Sequence, residues 1–170
     1  VEHRDYIENL IKEKYADILI KVIYEPFPRD TAPAVGLVNE MIYREDKDAV
    51  VVSLHSDHYI EKASEFREII KAGVERAKTQ YDIVLIGVKP HYPATGFGYI
   101  EMGKELETIN NQPINKVMSF VEKPDKELAT KYLEKGNYMW NSGMFIWKAE
   151  KILSEIKKFE PNLYEGIKNI

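Results

Sequence analysis

The sequence predicts an α/β fold, a mainly parallel sheet flanked by helices, and two observations carry that expectation. Ala49 to Leu54 (A-V-V-V-S-L) and Ile83 to Val88 (I-V-L-I-G-V) are short, nearly unbroken apolar runs, the pattern of strands covered on both faces. Around them lie segments of helical period, and parallel neighbours need a connection of that length.

In chain order, Asp5 to Tyr15 keeps apolar residues at Tyr6, Ile7, Leu10, Ile11 and Tyr15, an amphipathic helix. Ile18 to Tyr24 is a β-branched run stopped by Pro26 and Pro28, so a strand is expected there with a constrained loop after Glu25. Asp30 or Thr31 then caps a helix with Pro33 in its first turn and Val35, Val38, Met41 and Ile42 as its apolar stripe. Asp48 to Leu54 is expected as the central strand. Phe66, Ile69, Ile70, Gly73, Val74 and Ala77 mark the next helix, and Ile83 to Val88 the next strand. Pro90, Pro93, Gly96 and Gly98 make an irregular loop. Tyr99 to Met102 and Lys116 to Val121 form an antiparallel excursion around the turn signal Asn110-Asn111-Gln112-Pro113. Asp125 to Glu134 is a capped helix closed by Gly136, Met139 to Trp147 an aromatic strand, and Lys148 onward helical with a break at Pro161.

A chain of 170 residues, 44% hydrophobic and 31% charged, suits one domain spanning residues 1–170. A net charge of −4 without a basic stripe argues against a nucleic-acid polymer as partner. The absence of cysteine removes disulfides, thiolate nucleophiles and thiolate zinc sites. No apolar run approaches the roughly 20 residues of a membrane span, and V-E-H-R-D lacks a signal-peptide layout, so a soluble cytoplasmic protein with no membrane partner is expected. The chain opens on a helix-then-strand pair without a Gly-rich phosphate loop and closes on a helix. It therefore reads as a domain incomplete at both ends.

Candidate chemistry sits where strands end. In open α/β sheets ligands lie beyond the carboxyl ends of strands, which points to Asp57 in the polar turn His55-Ser56-Asp57-His58; a solvated loop acid is the alternative. In Glu25 to Pro33 a carboxylate, an arginine and a hydroxyl meet a helix N-terminus, and a fixed carboxylate at Glu25 would complement the paired N–H donors of guanine. A capped strand-to-helix turn is the alternative. Thr95-Gly96-Phe97-Gly98-Tyr99 would let backbone amides approach a sugar, or serve turn geometry alone. Phe120-Val121-Glu122-Lys123-Pro124 offers an acceptor for hydroxyls and a cation for phosphate, or a solvated ion pair. Asn141, Ser142 and Gly143 interrupt an aromatic strand and need partners or a ligand, whereas Trp140, Phe145 and Trp147 suit core packing.

In order and spacing, Glu25-Pro26 with Arg29 to Ala34, Asp57-His58, Pro93 with Thr95 to Ile100, Phe120 to Asp125 and Trp140 to Phe145 resemble the mannose-1-phosphate guanylyltransferases of the sugar-phosphate nucleotidyltransferase family. The resemblance implies a Rossmann-like nucleotidyltransferase fold and transfer of GMP from GTP to mannose 1-phosphate, giving GDP-mannose and pyrophosphate. It places Glu25, Asp30 and Thr31 at the guanine and ribose side, and Asp57 on Mg²⁺ at the α-phosphate. Gly98, Glu122 and Asn141 would hold the sugar and Lys123 its phosphate. By the same resemblance Asp57 and Lys123 would be the catalytic pair, with positioning and charge neutralisation expected to supply most of the catalysis.

The family's signature loop and a second metal-binding aspartate are not found, which implies an internal piece inactive alone. Asp30 stands where asparagine is usual, His55-Ser56 where Pro-Ala is common, and Phe97 where tyrosine is common. A homodimer stands as an open expectation. The competing hypotheses are a non-catalytic sugar-nucleotide-binding or regulatory subunit of the same fold, and a metal-dependent glycosyltransferase, for which Ser56-Asp57-His58 supplies only one of two acids.

Overall fold

The computed structural model describes residues 4–24 and 31–169. Among them are helix α1 (Arg4–Lys14), helix α2 (Thr31–Glu45), strand β1 (Val50–Ser53), helix α3 (Ala63–Gln80) and strand β2 (Val84–Val88). Strands β3 (Tyr99–Ile109) and β4 (Gln112–Val121), helix α4 (Lys126–Lys135), strand β5 (Tyr138–Lys148) and helices α5 (Ala149–Phe159) and α6 (Pro161–Lys168) follow.

The helices sit where periodicity and punctuation put them. Asp125 caps α4 by accepting from Leu128 N at 2.8 Å, and Gly136 closes it at φ 71°, a conformation that glycine adopts without a Cβ penalty. Asn110 and Asn111, at φ 50° and 62°, turn β3 into β4; two consecutive left-handed residues give the twist a tight hairpin needs.

The sheet corrects the expectation of parallel strands, because every pairing is antiparallel. The centre is β5, not the valine-rich strand. Ile146 pairs with Val52 of β1 and Val84 of β2, on opposite edges, while Tyr138 to Trp140 pair with β3. Being antiparallel to one shared neighbour, β1 and β2 run in the same direction, as a helix-length crossover requires. That crossover fixes direction without fixing adjacency, and β5, arriving late in the chain, fills the gap.

The segment Ile18–Tyr24 corrects a second expectation. It contains no strand, and Leu19 is fully exposed at 101%. A β-branched run gains little as a strand without a ladder to join, and none of the described strands takes it.

Alternation along β5 sends Ile146 and Trp147 to opposite faces. Ile146 is fully buried with Met144, Ile86 and Ala77, packed by Val74 and Ile70 of α3. Gly73 permits the close approach, since a Cβ there would lie 2.5 Å from Ile146 Cδ1. Trp147 turns to α2 and donates its indole N–H to Asn39 Oδ1 at 2.7 Å, while Asn39 Nδ2 donates to Val35 O. The apolar stripe expected on α2 is only half-buried; Gly36, Asn39 and Glu40 are its most buried residues. Gly36 meets Ile167 and Ile156, and Glu40 pairs through Oε1 with Arg44 and Lys168, while its buried Oε2 has no hydrogen-bond partner among the described residues. A second core under α4 joins Ala94, Tyr99, Ala129, Tyr132, Tyr138 and Trp140.

Trp147→Phe keeps most of the ring and strands the Asn39 carbonyl. An unsatisfied buried acceptor costs about 1–3 kcal/mol, so the melting temperature should fall by several degrees in a thermal melt. An unchanged midpoint would show that the bond does not anchor α2.

Candidate functional site

A bulge in β5 organises the site. Leu85 and Gly87 of β2 stand opposite Phe145 and Asn141, so a step of two residues on one strand faces a step of four on the other. The extra length lies at Ser142, Gly143 and Met144, with Gly143 at φ 73°. Backbone groups freed from the ladder find side chains instead. Gly143 N donates to Asn141 Oδ1 at 3.1 Å, Met144 N to Ser142 Oγ at 3.2 Å, and Ser142 Oγ to Ile86 O at 2.7 Å. The small polar residues that look out of place in an aromatic strand are therefore the ones that build the bulge.

Three predicted sugar-site residues converge beside it. Asn141 N donates to Gly98 O at 2.7 Å. A Cβ on residue 98 would lie 2.8 Å from both Glu122 Oε2 and Phe120 Cζ, and 3.4 Å from Asn141 Cβ. Lys123 follows directly and holds Glu122 Oε1 at 3.5 Å, with both side chains more than half exposed. Such a pair is worth at most about 1 kcal/mol, so Lys123 is readily given up to a stronger anion. Lys123 also sits at φ 45°, an uncommon backbone for a non-glycine residue, between β4 and the buried Pro124.

Asp57 lies exposed in the loop between β1 and α3. That loop reaches the same bulge through His55, whose Nε2 is 3.0 Å from Gly143 O. Gly98, Glu122 and Asn141 are thus gathered, with Lys123 directly after Glu122, and the Asp57 loop is tied to the strand that carries Asn141. Thr31 is the exposed first residue of α2, with no recorded contact to the others, while Glu25 and Asp30 lie outside the described residues.

Trp140 is 6% exposed and belongs to the core, as its aromatic surroundings suggested. His91, Tyr92 and Phe97 lean edge-on against it, at centroid distances of 5.0, 4.9 and 5.2 Å, and wall the region beside Gly98. Farther along the same strands Glu101 accepts from Ser119 Oγ at 2.8 Å, which holds its carboxyl below the ordinary range, and burial pushes the Tyr138 phenol up. Two grooves of about 530 and 300 Å³ open elsewhere, between β2, α3 and the β3–β4 hairpin, and contain none of the candidate residues.

Among the described residues no group of three or more His, Cys, Asp or Glu could hold a metal by itself. A Mg²⁺ ion takes one or two carboxylates, keeps several waters and gains its remaining oxygens from substrate phosphates. A lone, accessible Asp57 carboxylate is such a donor.

Sequence reasoning missed the join between His55 and Gly143. The available signal was a histidine two residues before the candidate acid and a glycine two residues after Asn141, which do not announce a contact across 88 positions.

A family model described as nucleotidyl transferase matches residues 1–170. The mannose-1-phosphate guanylyltransferase of Klebsiella pneumoniae is 37% identical over 165 residues, 97% of this chain. The chain spans 34% of the length of that relative. A solved structure described as mannose-6-phosphate isomerase from Helicobacter pylori superimposes with a TM-score of 0.83 at 29% identity, over 98% of this chain and 60% of the other. Another, described as mannose-1-phosphate geranyltransferase from Thermus thermophilus, gives 0.80 at 27% identity, over 98% and 44%.

Proposed function

Since this chain belongs to the nucleotidyl transferase family, we propose that its 170 residues form part of one catalytic domain that transfers GMP from GTP to mannose 1-phosphate. The reading rests on one observation above others: Gly98, Glu122 and Asn141, widely spaced in sequence, meet beside the β5 bulge, with Lys123 directly after Glu122. The residue types suit a sugar phosphate. Glu122 accepts from sugar hydroxyls, Asn141 presents its amide N–H₂ while its Oδ1 is fixed by Gly143, and the missing side chain at Gly98 lets the Glu122 carboxylate close on the backbone beside Asn141. Lys123 exchanges its weak partner for the phosphate.

In the reaction an oxygen of the mannose phosphate attacks the α-phosphorus of GTP in line. One P–O bond forms as the bond to the bridging oxygen breaks, and pyrophosphate carries away the electron pair. No covalent enzyme intermediate is required, so the residues act by positioning and by charge. Asp57 would hold Mg²⁺, which when bound neutralises charge building on the phosphate oxygens. The guanine and ribose side falls to Glu25, Asp30 and Thr31, and a cytoplasmic location suits these soluble substrates.

A thermal-shift titration with GDP-mannose, with and without Mg²⁺ and with ADP-glucose as control, tests the reading. At about 100 times the dissociation constant a ligand stabilises a fold by roughly 2.7 kcal/mol, a rise of several degrees. A cooperative melt unmoved by GDP-mannose, or moved equally by ADP-glucose, would overturn it. Release of pyrophosphate from GTP that depends on mannose 1-phosphate then separates an enzyme from a binding subunit.

A further inference from the structure

We propose that His55 is a positioning residue for the sugar half of this site, acting through Gly143 on Asn141; the assignment to sugar rests on the function proposed above. Gly143 is gripped at both ends. Its carbonyl lies 3.0 Å from His55 Nε2, and its amide N–H donates to Asn141 Oδ1 at 3.1 Å. A carbonyl can only accept, so the proton resides on Nε2.

The site is built for this contact. Gly143 is at φ 73°, a backbone that side chains rarely adopt, and a Cβ there would fall 2.3 Å from Nε2, inside the space of the imidazole ring. The ring also lies beside that of His58, at a centroid distance of 5.0 Å. Nothing else recorded among the described residues joins the Asp57 loop to the bulge by a side chain. The hydrogen bond therefore links the strand that carries Asn141 to the loop that carries Asp57. The carbonyl and the N–H belong to the two peptides joined at the Gly143 Cα, so a glycine released at its carbonyl would turn about φ and ψ and take its N–H, and with it the Asn141 amide, out of register with a bound sugar ring.

His55→Phe removes the donor and keeps a flat ring; His55→Gln restores an N–H at similar reach. In the native protein His55→Phe should raise KM for mannose 1-phosphate about tenfold, the scale of one hydrogen bond. KM for GTP should stay near its wild-type value, and His55→Gln should recover most of the loss. Hydrogen exchange at the Gly143 amide, read by NMR, should quicken by a similar factor in the Phe variant and revert in the Gln variant. Wild-type KM and exchange in His55→Phe would overturn the inference. So would an equal rise in both KM values, or a Gln variant as impaired as Phe. If wild-type protein does not turn over GTP with mannose 1-phosphate, the functional reading fails, and the exchange rates still decide whether His55 holds the bulge.

Discussion

Asp57→Asn in the native protein should lower GMP transfer by on the order of a hundredfold or more while leaving the melting temperature within about a degree of wild type. The two halves of that expectation have separate causes. Asp57 is exposed, and among the described residues its carboxylate makes no recorded hydrogen bond or ion pair, so an isosteric change removes nothing that holds the fold. The amide does remove the negative charge that a hard cation needs, and charge neutralisation by a metal at a transferring phosphoryl group is worth several kcal/mol, which converts to two or more orders of magnitude in rate. Steady-state turnover across a Mg²⁺ titration, run beside a thermal melt, checks both. Near-wild-type turnover at saturating Mg²⁺ would show that Asp57 is not the metal's anchor, and a large loss of stability would show that its role is structural.

How much of this was legible in the sequence depended on whether the signal was local. Helix ends were legible because their causes are local: Asp125, Gly136 and Pro161 act on neighbours within four residues. So was the Asn110-Asn111 turn, though its strands run farther than expected, because charged residues such as Lys104, Glu105 and Glu107 mask a ladder that needs only backbone pairing. The α/β nucleotidyltransferase fold with its flanking helices stands, and the parallel sheet does not. Strand order is set by β5, whose position between β1 and β2 has no local signature. The site divides along the same line. Asn141 was visible as a polar residue inside an aromatic strand, and Glu122 and Lys123 as an adjacent acid and base at a strand end before proline. Their convergence on Gly98 was supported in advance only by family resemblance, since spacing along the chain does not measure distance across a bulge. Asn39 and Glu40 escaped notice because their burial depends on Trp147, Arg44 and Lys168, two of them far along the chain.

Gly98→Ala offers the sharpest test of that convergence, because Gly96, two residues earlier, supplies its own control. A Cβ at residue 96 meets nothing within 4 Å, so Gly96→Ala should fold and function like wild type. A Cβ at residue 98 would stand 2.8 Å from Glu122 Oε2 and from Phe120 Cζ, closer than real contacts allow. Both atoms end side chains with solvent to move into, Phe120 being 46% exposed, so the fold can yield at a cost near the lower end of overpacking, about 1 kcal/mol. The site cannot yield so cheaply. Relief requires the Glu122 carboxylate to swing away from Gly98 and Asn141, and with it goes the acceptor proposed for the sugar hydroxyls. A displacement of about 1 Å in a positioning group can cost on the order of a hundredfold. The loss should therefore fall on kcat/KM for mannose 1-phosphate, by about that factor, with little change in the melting temperature and a weakened shift on adding GDP-mannose. Two alanine variants measured side by side decide the matter. If Gly98→Ala is as active as Gly96→Ala, the cluster of Gly98, Glu122 and Asn141 is not where the sugar lies, however well the family resemblance fits.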